Sequence, residues 1–212
     1  MNLSEIFCSI QGESTYSGLP CIFIRLAGCN LRCNYCDSIY SYKTKFTATP
    51  EEIVNQIKKY NPIKLVEITG GEPLLQNEII ELFHRLKKEG YKILLETNGS
   101  VELKNVPKFV HKIVDIKPPD SGEGDSFLIE NLQFINPKSD EIKFVLSSRK
   151  DYLYMQEKLK EYHLQNHQIL LSCVFDRLEP KQLVEWVIED RLQVRVQLQI
   201  HKYIWDPNAQ GV

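Results

Sequence analysis

Hydrophobic positions along the chain form two kinds of pattern. Short runs rich in apolar and β-branched residues predict strands, and stretches with apolar residues three and four positions apart predict amphipathic helices. The predicted strands are residues 21–27, 65–69, 92–97, 112–116, 141–146, 168–174 and 194–200. The predicted helices are residues 50–60, 77–89, 151–162 and 180–189. Strands that alternate with helices indicate crossover units and a mainly parallel sheet.

The spacing of these elements predicts an α/β fold built as an incomplete (β/α) barrel with some helices trimmed. The connection between residues 97 and 112 is short and irregular, and residues 118–137 lack clear periodicity. No linker divides the sequence, so we expect one domain over residues 1–212. Ligands of such sheets bind at the carboxyl ends of the strands. The distinctive groups at those ends are Ala27-Gly28-Cys29, Thr69-Gly70-Gly71-Glu72-Pro73, Thr97-Asn98-Gly99 and Asp115-Ile116-Lys117.

Composition narrows the class of protein. The 212 residues include 26 Lys and Arg against 28 Asp and Glu, so the formal net charge is −2. This balance excludes a polybasic coat of the kind that grips nucleic acid. No apolar run approaches the roughly 18 residues of a membrane span. The N-terminus lacks the apolar stretch of a signal peptide, which favours the cytoplasm.

Three of the six cysteines lie within eight residues, in the spacing C-x3-C-x2-C. In a reducing compartment this clustering indicates a metal site or catalysis. A structural zinc site needs four ligands, and the nearest histidine downstream is His84. A 4Fe–4S cluster held by Cys29, Cys33 and Cys36 keeps one iron open to an exchangeable ligand. The pattern alone leaves both readings open; the other cysteines are predicted to be small buried residues.

The cysteine loop resembles the radical S-adenosylmethionine (SAM) superfamily, given Tyr35 before the last cysteine and Gly-Gly-Glu-Pro at residues 70–73. The resemblance implies that Cys29, Cys33 and Cys36 hold a 4Fe–4S cluster and that SAM binds its fourth iron. The reduced cluster then cleaves SAM to a 5′-deoxyadenosyl radical. Gly70 and Gly71 suit close approach of the backbone to a ligand. Glu72 suits a hydrogen bond from the SAM ammonium group.

More of the chain resembles the 7-carboxy-7-deazaguanine synthase family. The matching segments are EIFCSIQGE at residues 5–13, Arg25, YCD at 35–37, TNG at 97–99, SCVF at 172–175 and QIHKYIW at 199–205. The resemblance implies a lyase that converts 6-carboxy-5,6,7,8-tetrahydropterin into 7-carboxy-7-deazaguanine with loss of ammonia. Mg²⁺ assists by binding the substrate carboxylate. The product feeds queuosine and other deazapurines.

The resemblance also assigns roles to individual residues, with no catalytic side chain beyond the cluster and SAM. The expected SAM contacts are Tyr35, Cys36, Asp37, Gly71, Glu72, Gly99, Asp115, Ile116, Lys117, Ser172, Cys173, Val174 and Phe175. The expected substrate contacts are Gln11, Gly12, Glu13, Arg25, Thr97, His201 and Pro207. Without the resemblance, Arg25 is equally well read as half of an internal ion pair, and His201 as a histidine at a strand end.

Two positions depart from the family pattern. Ser38 stands where the family more often has a threonine whose hydroxyl binds Mg²⁺. A serine hydroxyl is still an oxygen ligand for this hard cation. The tail over residues 206–212 runs past Pro207, so no terminal carboxylate is present at that proline.

The expected partners are a small-molecule substrate, an electron donor such as flavodoxin or ferredoxin, and a second copy in a homodimer, without nucleic acid or membrane. Two other functions remain open. A glycyl-radical-enzyme activase has a similar cysteine loop and Gly-Gly-Glu-Pro, but it acts on a protein backbone. A zinc or iron–sulfur carrier without catalysis would explain the cysteines but not the glycine-rich strand ends.

Overall fold

The apolar runs of the sequence line up in one nine-stranded sheet. The computed structural model describes all residues, 1–212. The strands are β1 (Asn2–Ile10), β2 (Pro20–Leu26), β3 (Phe46–Thr47), β4 (Leu65–Gly70), β5 (Lys92–Thr97), β6 (His111–Asp115), β7 (Glu141–Leu146), β8 (Gln168–Cys173) and β9 (Arg195–Val196). Their order is β3-β1-β2-β4-β5-β6-β7-β8-β9, so the sheet does not close on itself. β1 is antiparallel to its two neighbours, and every pair from β2 to β9 is parallel.

Helices cover one face of this sheet. They are α1 (Pro50–Ile57), α2 (Ile79–Lys88), α3 (Arg149–Glu161), α4 (Pro180–Glu189) and the short α5 (His201–Ile204). Apolar residues of both helices and strands, such as Ile53, Phe83 and Phe144, join one cluster of 33 buried side chains. The predicted incomplete α/β barrel is therefore confirmed. No helix is long and apolar enough to cross a membrane.

The opposite face of the strands is polar near their carboxyl ends. Because successive residues of a strand point to opposite sides, Arg25, Glu67, Glu96 and Lys143 all lie on the face away from the helices, at the wall of a single cavity. In these four strands the charged residue therefore faces the cavity.

The structure corrects the sequence prediction at both ends of the chain. β1 and the two-residue β3 were not predicted, because Ser4, Glu5 and Ser9 interrupt the apolar pattern of the first strand. The predicted strand over residues 194–200 is wrong beyond Val196. Ile200 instead precedes α5 and donates its backbone N–H to the carbonyl of Gly12 at 3.1 Å.

Elsewhere the predicted elements hold to within about two residues at each end. The connection between β5 and β6 contains no helix, as expected. The unassigned residues 118–137 contain two 3-10 helices, Pro119–Ser121 and Ile129–Phe134.

Candidate active site

A cavity of about 690 Å³ lies at the carboxyl ends of the strands. Most of the predicted site residues border it. These are Gln11, Gly12, Glu13, Arg25, Cys29, Cys33, Tyr35, Cys36, Asp37, Ser38, Gly71, Thr97, Asp115, Lys117, Val174, Phe175, His201 and Pro207. The topology therefore gathers segments from the whole length of the chain into one site.

The loop after β2 carries three partly buried cysteines at this cavity. None of them is in a disulfide. The Cys29 sulfur accepts a hydrogen bond from the backbone N–H of Leu31 at 3.4 Å, and Asn98 Nδ2 lies 3.8 Å away. Burial raises the pKa of Cys33 to about 11, against the opposing effect of the Lys117 ammonium.

The donor set fits a 4Fe–4S cluster. No three His, Cys, Asp or Glu side chains are grouped around one point where a single metal ion would bind. A cubane instead takes one thiolate at each of three irons, which suits three free thiols along the edge of a cavity. His84, the nearest downstream candidate for a fourth zinc ligand, packs edge-to-face on Phe109 with ring centroids 5.4 Å apart and does not border the cavity.

Gly70 and Gly71 serve the packing of two loops. A Cβ on Gly71 would lie 1.9 Å from the carbonyl oxygen of Gly28, and one on Gly70 would lie 2.1 Å from that of Leu26. Backbone hydrogen bonds join the same segments, from Glu72 N to Gly28 O at 2.8 Å and from Gly71 N to Leu26 O at 3.1 Å. The sequence analysis predicted close approach to a ligand; what approaches closely here is the backbone that leads into the cysteine loop.

The carboxylate of Glu72, predicted to contact SAM, is held by neighbouring loops. It is fully buried and does not border the cavity. It accepts backbone N–H groups of Leu74 at 3.0 Å and Asn98 at 2.8 Å, and the hydroxyl of Thr97 at 2.9 Å. Burial raises the pKa of Glu72, and these donors oppose the rise. Glu72 therefore ties the loop after β4 to the loop after β5, and its side chain does not border the cavity.

Four other predicted SAM contacts lie outside the main cavity. Ile116 is part of the apolar core, and Ser172 is buried within β8. Cys173 borders a separate cavity of about 210 Å³. Gly99 has φ +70°, and a Cβ there would lie 2.7 Å from the Phe127 ring. Both the backbone conformation and the contact with Phe127 therefore favour glycine at this position.

The predicted substrate end of the cavity is built around the turn after β1. A Cβ on Gly12 would lie 2.0 Å from Nδ1 of His201, so a larger residue here would displace the His201 ring. The Gln11 side chain is buried, donates to Glu67 and accepts the backbone N–H of Glu13 at 3.1 Å. Burial lowers the pKa of His201, which favours its neutral imidazole.

Arg25 has an internal partner and remains at the cavity wall. Its Nε donates to Glu5 Oε1 at 2.7 Å, and the hydroxyl of Tyr40 donates to the same oxygen at 2.9 Å. The internal ion pair considered from the sequence is thus present. A guanidinium has five N–H donors, so pairing through Nε leaves the terminal nitrogens for a ligand.

The sequence analysis missed three charged residues at the cavity wall, Glu67, Glu96 and Lys143. Lys143 Nζ lies 2.6 Å from Glu13 Oε2 and 2.7 Å from Glu96 Oε1. The available signal was an ionisable residue flanked by apolar ones within a strand, such as Glu67 in LVEIT and Lys143 in EIKFVL. Burying such a charge is costly unless it is paired.

The part of the cavity beside the cysteines contains a second ion pair. Lys117 Nζ lies 2.6 Å from Asp115 Oδ2. The hydroxyl of Tyr35 donates to the carbonyl of Val145 at 3.0 Å, and the Arg177 guanidinium lies 5.6 Å from the Tyr35 ring centre. These contacts fix the Tyr35 ring beside the cysteine loop.

Ser38 and the C-terminal segment border the same cavity. The Ser38 hydroxyl donates to Asp37 Oδ1 at 2.9 Å, and Asp37 Oδ2 pairs with Lys202 Nζ at 3.0 Å. The oxygens of Ser38 and Asp37 are of the type that Mg²⁺ prefers. Residues 207–212 also line the cavity, so the tail beyond Pro207 folds back toward the site.

Comparison with known proteins shows which proteins this chain resembles in sequence and in fold. The model of the radical SAM superfamily matches residues 23–119. The chain is 47% identical over 227 residues to 7-carboxy-7-deazaguanine synthase from Koribacter versatilis (strain Ellin345), covering 100% of both chains. It is 43% identical over 220 residues to that of Chlorobaculum tepidum, covering 100% of this chain and 97% of the relative. The crystal structure of QueE from Escherichia coli superposes with a TM-score of 0.75 at 25% identity, covering 92% and 93% of the two chains.

The fold and the cysteine site define a radical SAM protein. Its cofactors are accordingly a 4Fe–4S cluster and SAM. The chain belongs to the 7-carboxy-7-deazaguanine synthase family. The resemblance stated from the sequence motifs is confirmed, and neither the activase nor the carrier is favoured.

Proposed function

We propose that this chain converts 6-carboxy-5,6,7,8-tetrahydropterin into 7-carboxy-7-deazaguanine with release of ammonia, in the biosynthesis of queuosine and other deazapurines. Full-length similarity to relatives of that name supports the proposal. The observation that carries it is one cavity that combines three free cysteines with Gln11, Glu13, Arg25 and His201. We also propose that residues 1–212 act as a single radical SAM domain, since all nine strands join one sheet.

Cys29, Cys33 and Cys36 would hold the cluster. When bound, the cluster and SAM together supply the one-electron chemistry that removes a hydrogen atom from the substrate. Lys117 lies close enough to lower the thiol pKa values of Cys29 and Cys33, although burial is the larger effect and raises both. The fixed Tyr35 ring and the neighbouring Asp37, Val174 and Phe175 form a half-enclosed wall suited to the adenosine of SAM.

The substrate is bound, in this proposal, by groups of opposite character. The free terminal nitrogens of Arg25 match the planar geometry of the substrate carboxylate. Glu13 accepts N–H groups from the guanidine-like edge of the pterin, and neutral His201 both donates and accepts a hydrogen bond. The hydroxyl of Ser38, already oriented by Asp37, supplies an oxygen ligand for Mg²⁺ beside that carboxylate.

The chain further requires an electron donor, which we propose to be a flavodoxin or ferredoxin, and we expect a cytoplasmic homodimer.

A turnover assay tests the main proposal. Anaerobically reconstituted protein is given a reductant, SAM, Mg²⁺ and the carboxytetrahydropterin. We expect 7-carboxy-7-deazaguanine and ammonia in equal amounts, with SAM regenerated. Cleavage of SAM without formation of the deazapurine would contradict the proposal, and a transferred radical on an added glycine-containing protein would favour the activase.

A further inference from the structure

A buried lysine links two carboxylates from different parts of the chain at the wall of the cavity. Lys143 lies on β7, Glu96 on β5, and Glu13 in the turn after β1. The Lys143 side chain is only 4% exposed, whereas those of Glu13 and Glu96 are 16% and 23% exposed. The lysine is thus enclosed, and the Glu13 and Glu96 side chains stay partly exposed at the cavity wall, although Glu13 Oε2 itself is buried.

The ion pair governs the charge of Glu13. Burial alone would raise the pKa of Glu13, but the ammonium of Lys143, together with the hydrogen bond from Gln199 and the nearby His201, holds that pKa below its usual range. Glu67, at the same wall, is held by Gln11 and has no cationic partner within 4 Å. Burial raises the pKa of Glu67 well above its usual range, and Glu96 adds to the rise. Of these two glutamates, only Glu13 contacts the lysine, and only its pKa is lowered. Glu96 also contacts Lys143, but burial is the larger effect there and raises its pKa.

Glu13 also has acceptor capacity to spare. Its Oε2 contacts Lys143, and its Oε1 accepts from Gln199 Nε2 at 2.9 Å. An ionised carboxylate offers about four lone-pair positions, so these two contacts fix its orientation and leave further positions for a ligand. Such a fixed, ionised acceptor selects a ring edge that carries N–H donors.

We propose that Lys143 is a positioning residue that orients the Glu13 carboxylate as a hydrogen-bond acceptor, and thereby makes the site select a heterocycle with an amino group on its donor edge. This assignment rests on the proposed function, in which that heterocycle is the pterin and the selected group is its 2-amino group. Lys143 acts through Glu13 and need not touch the substrate. Glu96 is the second anchor that holds the ammonium in place.

Another buried lysine of the same chain tests whether the role of Lys143 is purely structural. Lys112 on β6 is 5% exposed and pairs with Asp140 at 2.7 Å, but it does not border the cavity. Lys112→Met therefore removes an equally buried, ion-paired lysine and serves as the matched control. Lys143→Arg retains the positive charge, and Lys143→Met with Glu96→Gln removes a counter-charge should the single variant fold poorly.

The experiment measures the affinity of reconstituted variants for the carboxytetrahydropterin and for its 2-deamino analogue, with the cluster spectrum and SAM affinity as further readouts. A hydrogen bond to a charged group is worth about 1.5–3 kcal/mol, so the parent should prefer the amino compound by about tenfold to a hundredfold. In Lys143→Met, alone or with Glu96→Gln, we expect this preference to fall close to one. The cluster spectrum and SAM affinity should stay as in the parent, and Lys143→Arg should restore part of the preference.

Retention of the parent's preference by Lys143→Met would overturn the assignment, as would an equal loss in Lys112→Met. A parent that binds and converts the pterin without preferring it over the deamino analogue would also overturn the role of Lys143 while leaving the proposed function standing. A parent that binds neither compound would overturn the proposed function, and the assignment with it.

Discussion

Replacing Glu72 with glutamine separates a structural role for this residue from a direct SAM contact. The carboxylate accepts two backbone N–H groups on different oxygens, that of Leu74, which is partly buried, and that of Asn98, which is buried. Glutamine has one carbonyl oxygen, so whichever way the amide turns, one N–H group loses its acceptor and faces another donor. Thr97 can adapt, because its hydroxyl can turn and accept a hydrogen bond.

The expected loss of stability follows from the one N–H group that is left without an acceptor. A buried N–H group left without an acceptor costs about 1–3 kcal/mol. In a chain of this length each kcal/mol lowers the melting temperature by about 2–4 °C. We therefore expect Glu72→Gln to melt roughly 2–12 °C below the parent. Circular dichroism of anaerobically reconstituted protein measures the shift, and isothermal titration well below the transition measures SAM affinity.

Glu185→Gln is the control, because Glu185 is 62% exposed and its pair with Lys181 at 3.7 Å is a surface contact. Such a pair is worth about 0–1 kcal/mol, so its melting temperature should stay near the parent's. The reasoning would be refuted by a Glu72→Gln variant that melts like the parent but loses SAM affinity more than tenfold. That outcome would mean that the carboxylate faces the cofactor.

Four further substitutions test other parts of the site. Cys33→Ala should abolish cluster assembly while the circular dichroism spectrum persists, and iron per chain near the parent's value would contradict the ligand assignment. Ser38→Ala should leave the cluster spectrum and SAM binding intact but lower turnover at limiting Mg²⁺; an unchanged Mg²⁺ response would place the metal elsewhere. Gly71→Ala places a Cβ 1.9 Å from the carbonyl oxygen of Gly28. We therefore expect the variant to lose both thermal stability and bound iron. A variant that retains both would show that the loop after β4 and the loop after β2 can separate. Glu67 has a raised pKa in the folded protein, so the free energy of unfolding should fall as pH rises above about 4.5. Glu67→Gln should flatten this fall when melting temperature is measured from pH 5 to 9. An identical dependence of melting temperature on pH in parent and variant would contradict it.

The fold was largely predictable because its determinants are local. Each parallel strand is a short apolar run, and the distinctive residues follow those runs, so their convergence at one edge of the sheet follows from topology alone. The prediction of a strand over residues 194–200 was wrong beyond Val196 because of a contact with a distant part of the chain. Its alternating pattern VRVQLQI is typical of a strand, yet the backbone of Ile200 bonds to Gly12 and turns into α5.

Side-chain directions within the site were less predictable. A glutamate in Gly-Gly-Glu-Pro can turn toward the ligand or toward the loop after β5, and the local pattern is the same in both cases. Glu13 and Lys143 lie 130 positions apart in the sequence, so each appears there only as an isolated charge. Their pairing depends on which strands become neighbours across the cavity, and no short-range pattern contains that information.

The separation between the cysteine loop and the apolar core bears on how the protein acquires its iron. None of the three cysteines belongs to the cluster of 33 buried side chains, and the start of their loop is fixed by hydrogen bonds and close packing against the loop after β4. In small zinc domains, by contrast, metal binding supplies the folding free energy itself. Here the apolar core does not include the cysteines, so the polypeptide can fold before a cluster is bound. Removal of iron should therefore empty the cysteine loop and leave the rest of the fold in place.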